Sequence, residues 1–175
     1  MSRARCTIAA RTKPEKLIEV ALRAFGVDSV EQESAADFDE VLDFCLPRTE
    51  ELGGAVGSDA WFCWTHGEWA VLGDLGLLLW KETDALSKIS AELGSELVVV
   101  ATDSAFEFAH FALYDGGKQR RALKLEDEIV EVAGLPVPAE RGRPLDDFIE
   151  EDADRLWTSY GLPAVDLPPE NGPFQ

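Results

Sequence analysis

The chain has 175 residues, of which 46% are hydrophobic and 29% charged, and this composition is typical of a globular domain rather than a disordered chain. Its 34 acidic residues outnumber its 16 basic residues, which gives a net charge of −18. A surface this negative repels phosphate groups, so we expect neither nucleic acid nor an anionic membrane as a partner.

The first third of the sequence predicts one strand followed by two helices. Residues 4–10 read as a short strand, and Pro14 opens a helix that Gly26 ends. Ser34 is the predicted cap of a second helix, which Pro47 ends. Its apolar stripe is Phe38, Val41, Leu42, Cys45 and Leu46. We expect four carboxylates to face water from its other side, namely Asp37, Asp39, Glu40 and Asp43.

A tryptophan-rich hairpin is predicted next, with strands at 61–64 and 69–72 joined by a turn around Gly67. Side chains alternate along a strand, so Trp61 lies on one face of this hairpin and Trp64 on the other. Two interpretations follow. The hairpin is either a central one that is covered on both faces, or a partly exposed aromatic surface that binds a partner or a ligand. A third helix then runs from Thr83 to a stop at Gly94.

The remainder predicts four strands, a helix and a tail. The strands lie at 97–102, 106–114, 119–125 and 129–133, and short turns between them imply antiparallel pairing. A last helix spans 144–160. The expected fold is therefore α+β, an antiparallel sheet of hairpins and a meander with about four helices packed on it. We expect one layered domain over residues 1–162 and a proline-rich tail over 163–175.

Two polar residues fall on apolar faces. His110 shares a strand face with aromatic residues. It is either a half-buried structural histidine or part of a pocket. Asp152 lies about 20° from Leu145 on the apolar stripe of the last helix, at 100° per residue. A carboxylate there must be paired, hydrated or functional. We expect it to pair with a base on the facing sheet, which is Arg120, Arg121 or Lys124.

Sequence motifs of catalysis or cofactor binding are missing. The glycine-rich segment 53–57 lacks the lysine of a phosphate-binding loop, and the two histidines show no metal-ligand spacing. We therefore expect no cofactor, no metal and no catalytic residue, and we favour a non-enzymatic role. Three cysteines without a C-x-x-C motif are typical of reduced thiols in the cytoplasm. Neither a signal peptide nor an apolar membrane span is predicted.

A succession of short motifs fills residues 60–162. It comprises Trp69-Ala-Val-Leu-Gly-Asp74, Asp84-Ala-Leu-Ser-Lys88, Phe111-Ala-Leu-Tyr-Asp-Gly-Gly-Lys118 with Arg120-Arg121, and Gly134-Leu-Pro-Val-Pro-Ala-Glu140. In these motifs the chain resembles small acidic bacterial proteins that are similar to the immunity proteins of polymorphic toxin systems. The resemblance implies a cytoplasmic protein that neutralises a toxin, and it carries over no catalytic residue.

The charge distribution provides the main functional hypothesis. Residues 28–51 hold nine acids and one base, Arg48. We expect a basic protein, such as a toxin, to dock on this surface. The expected contact residues are Asp37, Asp39, Glu40, Asp43, Trp61 and Trp64. One alternative is a small-molecule-binding or hydrolytic domain with a pocket near the tryptophan hairpin and His110. Another is a structural subunit of a larger assembly. The sequence does not predict the oligomeric state.

Overall fold

The structure is a computed structural model, and it describes residues 4–28, 30–51, 60–142, 147–164 and 173–175. Its strands are β1 (Ala4–Ala10), β2 (Trp61–His66), β3 (Trp69–Asp74), β4 (Leu97–Asp103), β5 (Phe108–Asp115), β6 (Lys118–Glu126) and β7 (Ile129–Gly134). Its helices are α1 (Pro14–Ala24), α2 (Phe38–Glu51), α3 (Thr83–Leu93) and α4 (Glu150–Thr158), with short 3₁₀ turns at Leu79–Lys81 and Pro138–Glu140.

The seven strands form one sheet in the order β2-β3-β1-β4-β5-β6-β7, and every neighbouring pair is antiparallel. Two-residue hairpin turns join β2 to β3, β5 to β6 and β6 to β7, and a four-residue turn joins β4 to β5. Gly116 and Gly117 have φ of 56° and 78° between β5 and β6, a conformation that glycine adopts without a steric penalty. The exception is β1, which lies between β3 and β4 although it precedes both in the sequence.

Helices cover both faces of the sheet. One face packs against α1 and α3 through residues such as Leu17, Val20 and Ile89. The other packs against α2 and α4 through residues such as Val41 and Trp157. Because both faces are covered, β3 and β4 are buried along their whole length, which explains why 97–101 reads as an unbroken apolar run. The predicted α+β fold, an antiparallel sheet with four helices, is confirmed.

The last helix is shorter than predicted. It starts at Glu150 rather than near residue 144, because Phe148 and Ile149 are not helical and Ile149 is extended, with φ of −134° and ψ of 174°. Leu145, which the sequence placed on the apolar stripe of this helix, lies outside the described residues.

Six strands have bounds that differ from the prediction by one or two residues, and the differences at Phe106 and Gly73 change how a side chain is placed. β5 starts at Phe108, and Phe106 lies in the preceding turn with 76% of its side chain exposed. Gly73 belongs to β3 rather than to a turn, opposite Phe62 on β2. A β-carbon at Gly73 would lie 2.3 Å from the Phe62 ring, so the missing side chain makes room for a buried aromatic.

The end of the predicted tail is docked on the sheet. Gln175 exchanges two backbone hydrogen bonds with Cys63, of 2.8 and 3.0 Å, along the open side of β2. Phe174 is 1% exposed, and its backbone pairs with Ala35. The end of the tail therefore pairs with the β2 edge of the sheet at Cys63. None of the helices in the described ranges has the length and apolarity required to cross a membrane.

Candidate partner-binding site

A groove of about 1030 Å³ lies between α1, α2 and β2, and we call it the α2 groove. Apolar side chains of the two helices form its walls. Its aromatic lining residues are Phe44, Trp61, Phe62 and Phe174. The groove is thus bounded by the acidic helix and by the tryptophan hairpin, the two features that the sequence associated with partner binding.

The start of α2 depends on Asp37 rather than on Ser34. The Asp37 carboxylate accepts a hydrogen bond of 3.0 Å from the backbone N–H of Glu40, which is the bond made by a helix N-cap. The Glu40 carboxylate accepts one of 2.7 Å from the backbone N–H of Ala36. This reciprocal pair satisfies two backbone donors, so the helix begins at Phe38 and not at the predicted Ser34.

Pro47 lies inside α2 instead of ending it. Proline has no N–H to donate, and its ring crowds the preceding turn. The two side chains that follow Pro47 donate hydrogen bonds to carbonyls of the preceding turn. The Arg48 guanidinium donates to the Phe44 carbonyl at 2.8 Å, and the Thr49 hydroxyl donates to the Cys45 carbonyl at 3.0 Å. The helix therefore continues to Glu51 and lengthens the wall of the groove.

Carboxylates dominate the polar lining of the α2 groove. The acids that line it are Glu31, Glu33, Glu40 and Asp43, and all four are exposed. Arg48 is the one base among the described lining residues, and it is paired with Glu31 at 3.2 Å. The groove therefore has a negative field, and its apolar walls reduce the screening of that field by water.

The structure brings only part of the predicted contact set to this groove. Glu40, Asp43 and Trp61 line it. Asp37 and Asp39 are exposed at the start of α2 but are not among the lining residues. Trp64 is 7% exposed. Its ring lies against Phe174 of the docked tail.

Aromatic contacts cover the hairpin on both faces. On the α1 side, the Trp61 ring lies 5.2 Å from Phe25, edge to face. On the α2 side, Phe62 stacks on Trp64 at 5.4 Å, and Phe174 lies 6.3 Å from Trp64. The hairpin thus resembles the covered alternative, although it lies at the edge of the sheet rather than at its centre. Trp61, which is half-buried, offers the accessible aromatic surface.

His110 lies far from the α2 groove, because β3, β1 and β4 separate its strand from β2. It is 7% exposed, and its ring lies 5.0 Å from that of Trp80. Neither ring nitrogen makes a well-formed hydrogen bond to the described residues. Burial, with repulsion from Lys124, lowers the pKa of His110 to about 4, so the ring is neutral at pH 7. The structure therefore does not join His110 and the tryptophan hairpin in one pocket.

Asp152 is buried as expected, at 5% exposure, but its ion pair differs from the predicted one. Its carboxylate lies 3.2 Å from the guanidinium of Arg155, one turn along α4, and accepts a bond of 3.4 Å from the N–H of Ile149. The three candidate bases on the sheet pair elsewhere: Arg120 with Asp115, Arg121 with Glu140, and Lys124 with Glu126 and Glu131. Asp152 therefore caps and pairs within its own helix.

A buried ion pair between Arg121 and Glu140 was not foreseen. Their side chains are 1% and 4% exposed, and the guanidinium contacts both carboxylate oxygens, with Nε to Oε1 at 2.8 Å. Arg121 also donates to the carbonyls of Ala133 and Gly134, and Glu140 accepts from the N–H of Val137. The sequence contained a signal for the burial of Arg121. Residues two apart share a strand face, so Arg121 lies on the same face of β6 as the buried Leu123.

Asp74 is a second buried acid that the sequence analysis missed. It is 1% exposed and accepts hydrogen bonds from three backbone N–H groups, those of Gly76 at 2.8 Å, Leu78 at 2.7 Å and Leu79 at 3.0 Å. These bonds fix the chain between β3 and the first 3₁₀ turn. Asp74 thus has a structural role, and its oxygens are engaged by the backbone.

Burial keeps the cysteine thiols protonated, which makes them weak nucleophiles. All three cysteines are buried and none forms a disulfide, and burial raises the pKa of Cys63 to about 12 and that of Cys6 well above its usual value. No group of three or more His, Cys, Asp or Glu side chains in the described parts of the chain is arranged to hold a metal ion. The chain as a whole matches no protein-family model, no curated protein and no solved structure.

Proposed function

We propose that this protein is a non-enzymatic interaction protein that binds a cationic protein, in the manner of an immunity protein that occludes a basic toxin. The observation that carries the proposal is the composition of the α2 groove, in which four exposed carboxylates surround aromatic and apolar walls. The resemblance of residues 60–162 to acidic immunity-like proteins points in the same direction.

The chemistry of the groove fits arginine or lysine side chains. A cationic head pairs with Glu33, Glu40 or Asp43, while its aliphatic stem lies on the apolar wall. Trp61 offers a ring face to the same cation, an interaction that contributes about 0.5–1 kcal/mol at an exposed site. The net charge of −18 draws such a partner in and accelerates association.

The test is capture from a lysate of the source organism, followed by kinetics with the purified captured protein. The groove variant combines Glu33→Gln, Glu40→Gln and Asp43→Asn. It retains Asp37, and the glutamine introduced at position 40 keeps a carbonyl oxygen that can accept from the N–H of Ala36. A matched control removes the same charge from exposed acids elsewhere, with Glu82→Gln, Asp84→Asn and Glu151→Gln.

We expect the groove variant to associate about tenfold more slowly at low salt, with the control close to the unmodified protein, because steering acts through charges near the contact. The difference should shrink toward 1 M salt, where the screening length is about 3 Å. Equal losses in both variants would remove the α2 groove from the interface. A captured partner that is acidic or neutral would contradict the proposal as a whole.

The size of the groove supports a second candidate function, the binding of a cationic small molecule. Ligand sites commonly measure about 300–1,000 Å³, and the α2 groove reaches the upper end of that range. Thermal unfolding with a panel of aromatic amines distinguishes the two candidates. A ligand at 100 times its Kd stabilises the folded state by about 2.7 kcal/mol. That stabilisation should disappear in the groove variant.

A further inference from the structure

The two edge strands of the sheet, β2 and β7, differ in what pairs with their outer sides. Along β2, Gln175 forms two backbone hydrogen bonds with Cys63, so the docked tail pairs with part of that edge. At the other end, β7 pairs with β6, and no described strand lies on its far side. An uncovered edge strand presents a row of unpaired backbone donors and acceptors that can pair with another chain.

The β6–β7 hairpin shows which backbone groups point outward. Its loop is Asp127 and Glu128, with φ of 51° and 62°, and Glu126 pairs with Ile129 across it. In such a two-residue hairpin the flanking pair is hydrogen-bonded, and the bonding direction alternates along the strand. The N–H and C=O groups of Val130 and Val132 therefore point away from β6. They are the donors and acceptors available to an added strand.

Exposed apolar side chains concentrate beside this edge. Among the described residues, four large hydrophobic side chains with high exposure lie on β7 or next to it: Phe106 at 76%, Ile129 at 62%, Val132 at 46% and Leu135 at 82%. Phe106 borders the β6–β7 turn, together with Asp127 and Glu128. A strand that pairs with β7 would cover apolar side chains on both faces of the sheet.

The charges around β7 determine which kind of strand can pair with it. The exposed acids around β7 are Glu107, Glu126, Asp127, Glu128 and Glu131. The bases beside β7 are already paired: Lys124 with Glu126 and Glu131 at 3.0 Å each, Arg121 with Glu140, and Arg120 with Asp115. A second copy of this chain would bring the same acids face to face, and like charges opposite one another are destabilising. A segment that carries lysine or arginine would be attracted instead.

We propose that β7 is a strand-addition edge that pairs with an extended segment of a cationic protein, in which basic and apolar residues alternate. The inference builds on the proposed function, since it assigns a second contact to the same class of partner. Backbone pairing with Val130 and Val132 supplies the register, and the surrounding acids select a basic sequence over an acidic one.

The test uses the full chain and a synthetic probe, the acetylated and amidated peptide Lys-Val-Lys-Val-Lys-Val-Lys, at 150 mM salt. The readout is amide hydrogen exchange, resolved by residue. We expect at least tenfold slower exchange at Val130 and Val132 with the probe, and little change at Glu131, whose N–H already bonds to β6. A control peptide that is N-methylated at all seven residues keeps the charge but lacks the N–H donors of both strand edges, so it cannot pair as a strand and should give no protection.

A protein variant provides the reciprocal control. Val132→Pro removes one outward N–H, at a position where an edge strand accepts proline, and it should weaken probe binding at least tenfold without loss of the fold. Should that variant unfold, Ile129→Lys, which adds positive charge beside the edge, should weaken binding instead. The groove variant of α2 should bind the probe at β7 with unchanged protection.

Three results would overturn the inference: no binding of the probe, binding without protection on β7, or equal binding of the N-methylated peptide. The second of these, with protection along α2 instead, would leave the proposed function standing. Protection of Val130 and Val132 in the absence of probe, together with a dimeric mass by light scattering, would make a second copy the occupant and would also overturn it. Failure to capture a cationic partner would refute the proposed function separately.

Discussion

Replacing Glu140 by glutamine removes the charge that faces Arg121 in the interior. The two side chains are 1% and 4% exposed, so water does not replace the lost carboxylate. Removal of one partner from a buried pair costs about 3–5 kcal/mol, because the remaining charge is left uncompensated. The carbonyls of Ala133 and Gly134 still accept from Arg121, so we expect a loss near the lower figure, about 3 kcal/mol.

The double variant Arg121→Met with Glu140→Leu removes both charges. The N–H of Val137 then loses its acceptor, which costs about 1–1.5 kcal/mol. The carbonyls of Ala133 and Gly134 also lose Arg121, but these residues are exposed and water replaces the donor. We therefore expect the double variant to be more stable than Glu140→Gln by about 1.5–2 kcal/mol. Urea unfolding followed by tryptophan fluorescence measures both differences. A loss below about 1 kcal/mol for the single variant, or a double variant less stable than the single one, would refute this reasoning.

Four further predictions concern the core and the helix caps. Gly73→Ala places a methyl group within 2.3 Å of the Phe62 ring, and the overpacking should lower stability by about 1–3 kcal/mol in urea unfolding; an unchanged midpoint would show that the ring can move aside. The pKa of His110 is about 4 in the folded chain and about 6.5 in the unfolded chain, so the unfolded chain binds the proton first as the pH falls. The stability contributed by the neutral ring, about 3 kcal/mol, is present above pH 6.5 and is lost as the pH falls toward 4. Calorimetry should show a smaller loss of stability between pH 7 and 4.5 for His110→Leu than for the unmodified protein, and equal losses would contradict the assignment. Asp152→Asn should cost only about 1 kcal/mol, because Arg155 is 37% exposed and water can solvate it; a loss above about 3 kcal/mol would indicate a buried cationic partner. The three buried cysteines should react with a thiol reagent only when the chain unfolds, and reaction in the native state would show local opening.

Periodicity was enough to predict the fold class and most strands. The alternation along β5 indicates a strand, and Gly116-Gly117 indicates the turn that follows it. Such local signals are enough to predict a meander, because its neighbouring strands are joined by short turns. The order of the sheet could not be predicted this way. The position of β1 between β3 and β4 is a long-range choice, made by packing of both faces rather than by any local signal.

The wrong predictions of the start and the end of α2 have a common physical cause. Ser34 and Asp37 are both good N-caps, and the bond from the Glu40 side chain back to Ala36 decides between them. Pro47 reads as a helix stop in sequence, but nearby side chains satisfy the turn around it. Where a helix begins and ends therefore depends on hydrogen bonds between neighbouring residues, which the type of one residue does not predict.

The candidate site was predicted in part. The acidic residues of α2 and Trp61 were identified from charge and alternation, and two of those acids, Glu40 and Asp43, line the groove with Trp61. The contribution of residues 31–33, and the covering of Trp64 by Phe174, depend on contacts between distant segments. The uncovered edge at β7 was equally hidden, since a strand's place in the sheet order does not follow from its own sequence.

The central place of β1 also governs the order in which the chain can fold. Helix α1 forms from local hydrogen bonds, but β1 gains its first partner only when β3 is complete at residue 74, and its second only when β4 is complete at residue 103. The β5–β7 meander, by contrast, closes through neighbouring hairpins. Contacts that span long stretches of chain slow folding, because loop closure precedes the gain from pairing. The pairing of β1 with two later strands therefore closes the longest loops of the sheet, and truncation before residue 97 leaves β1 without its partner β4.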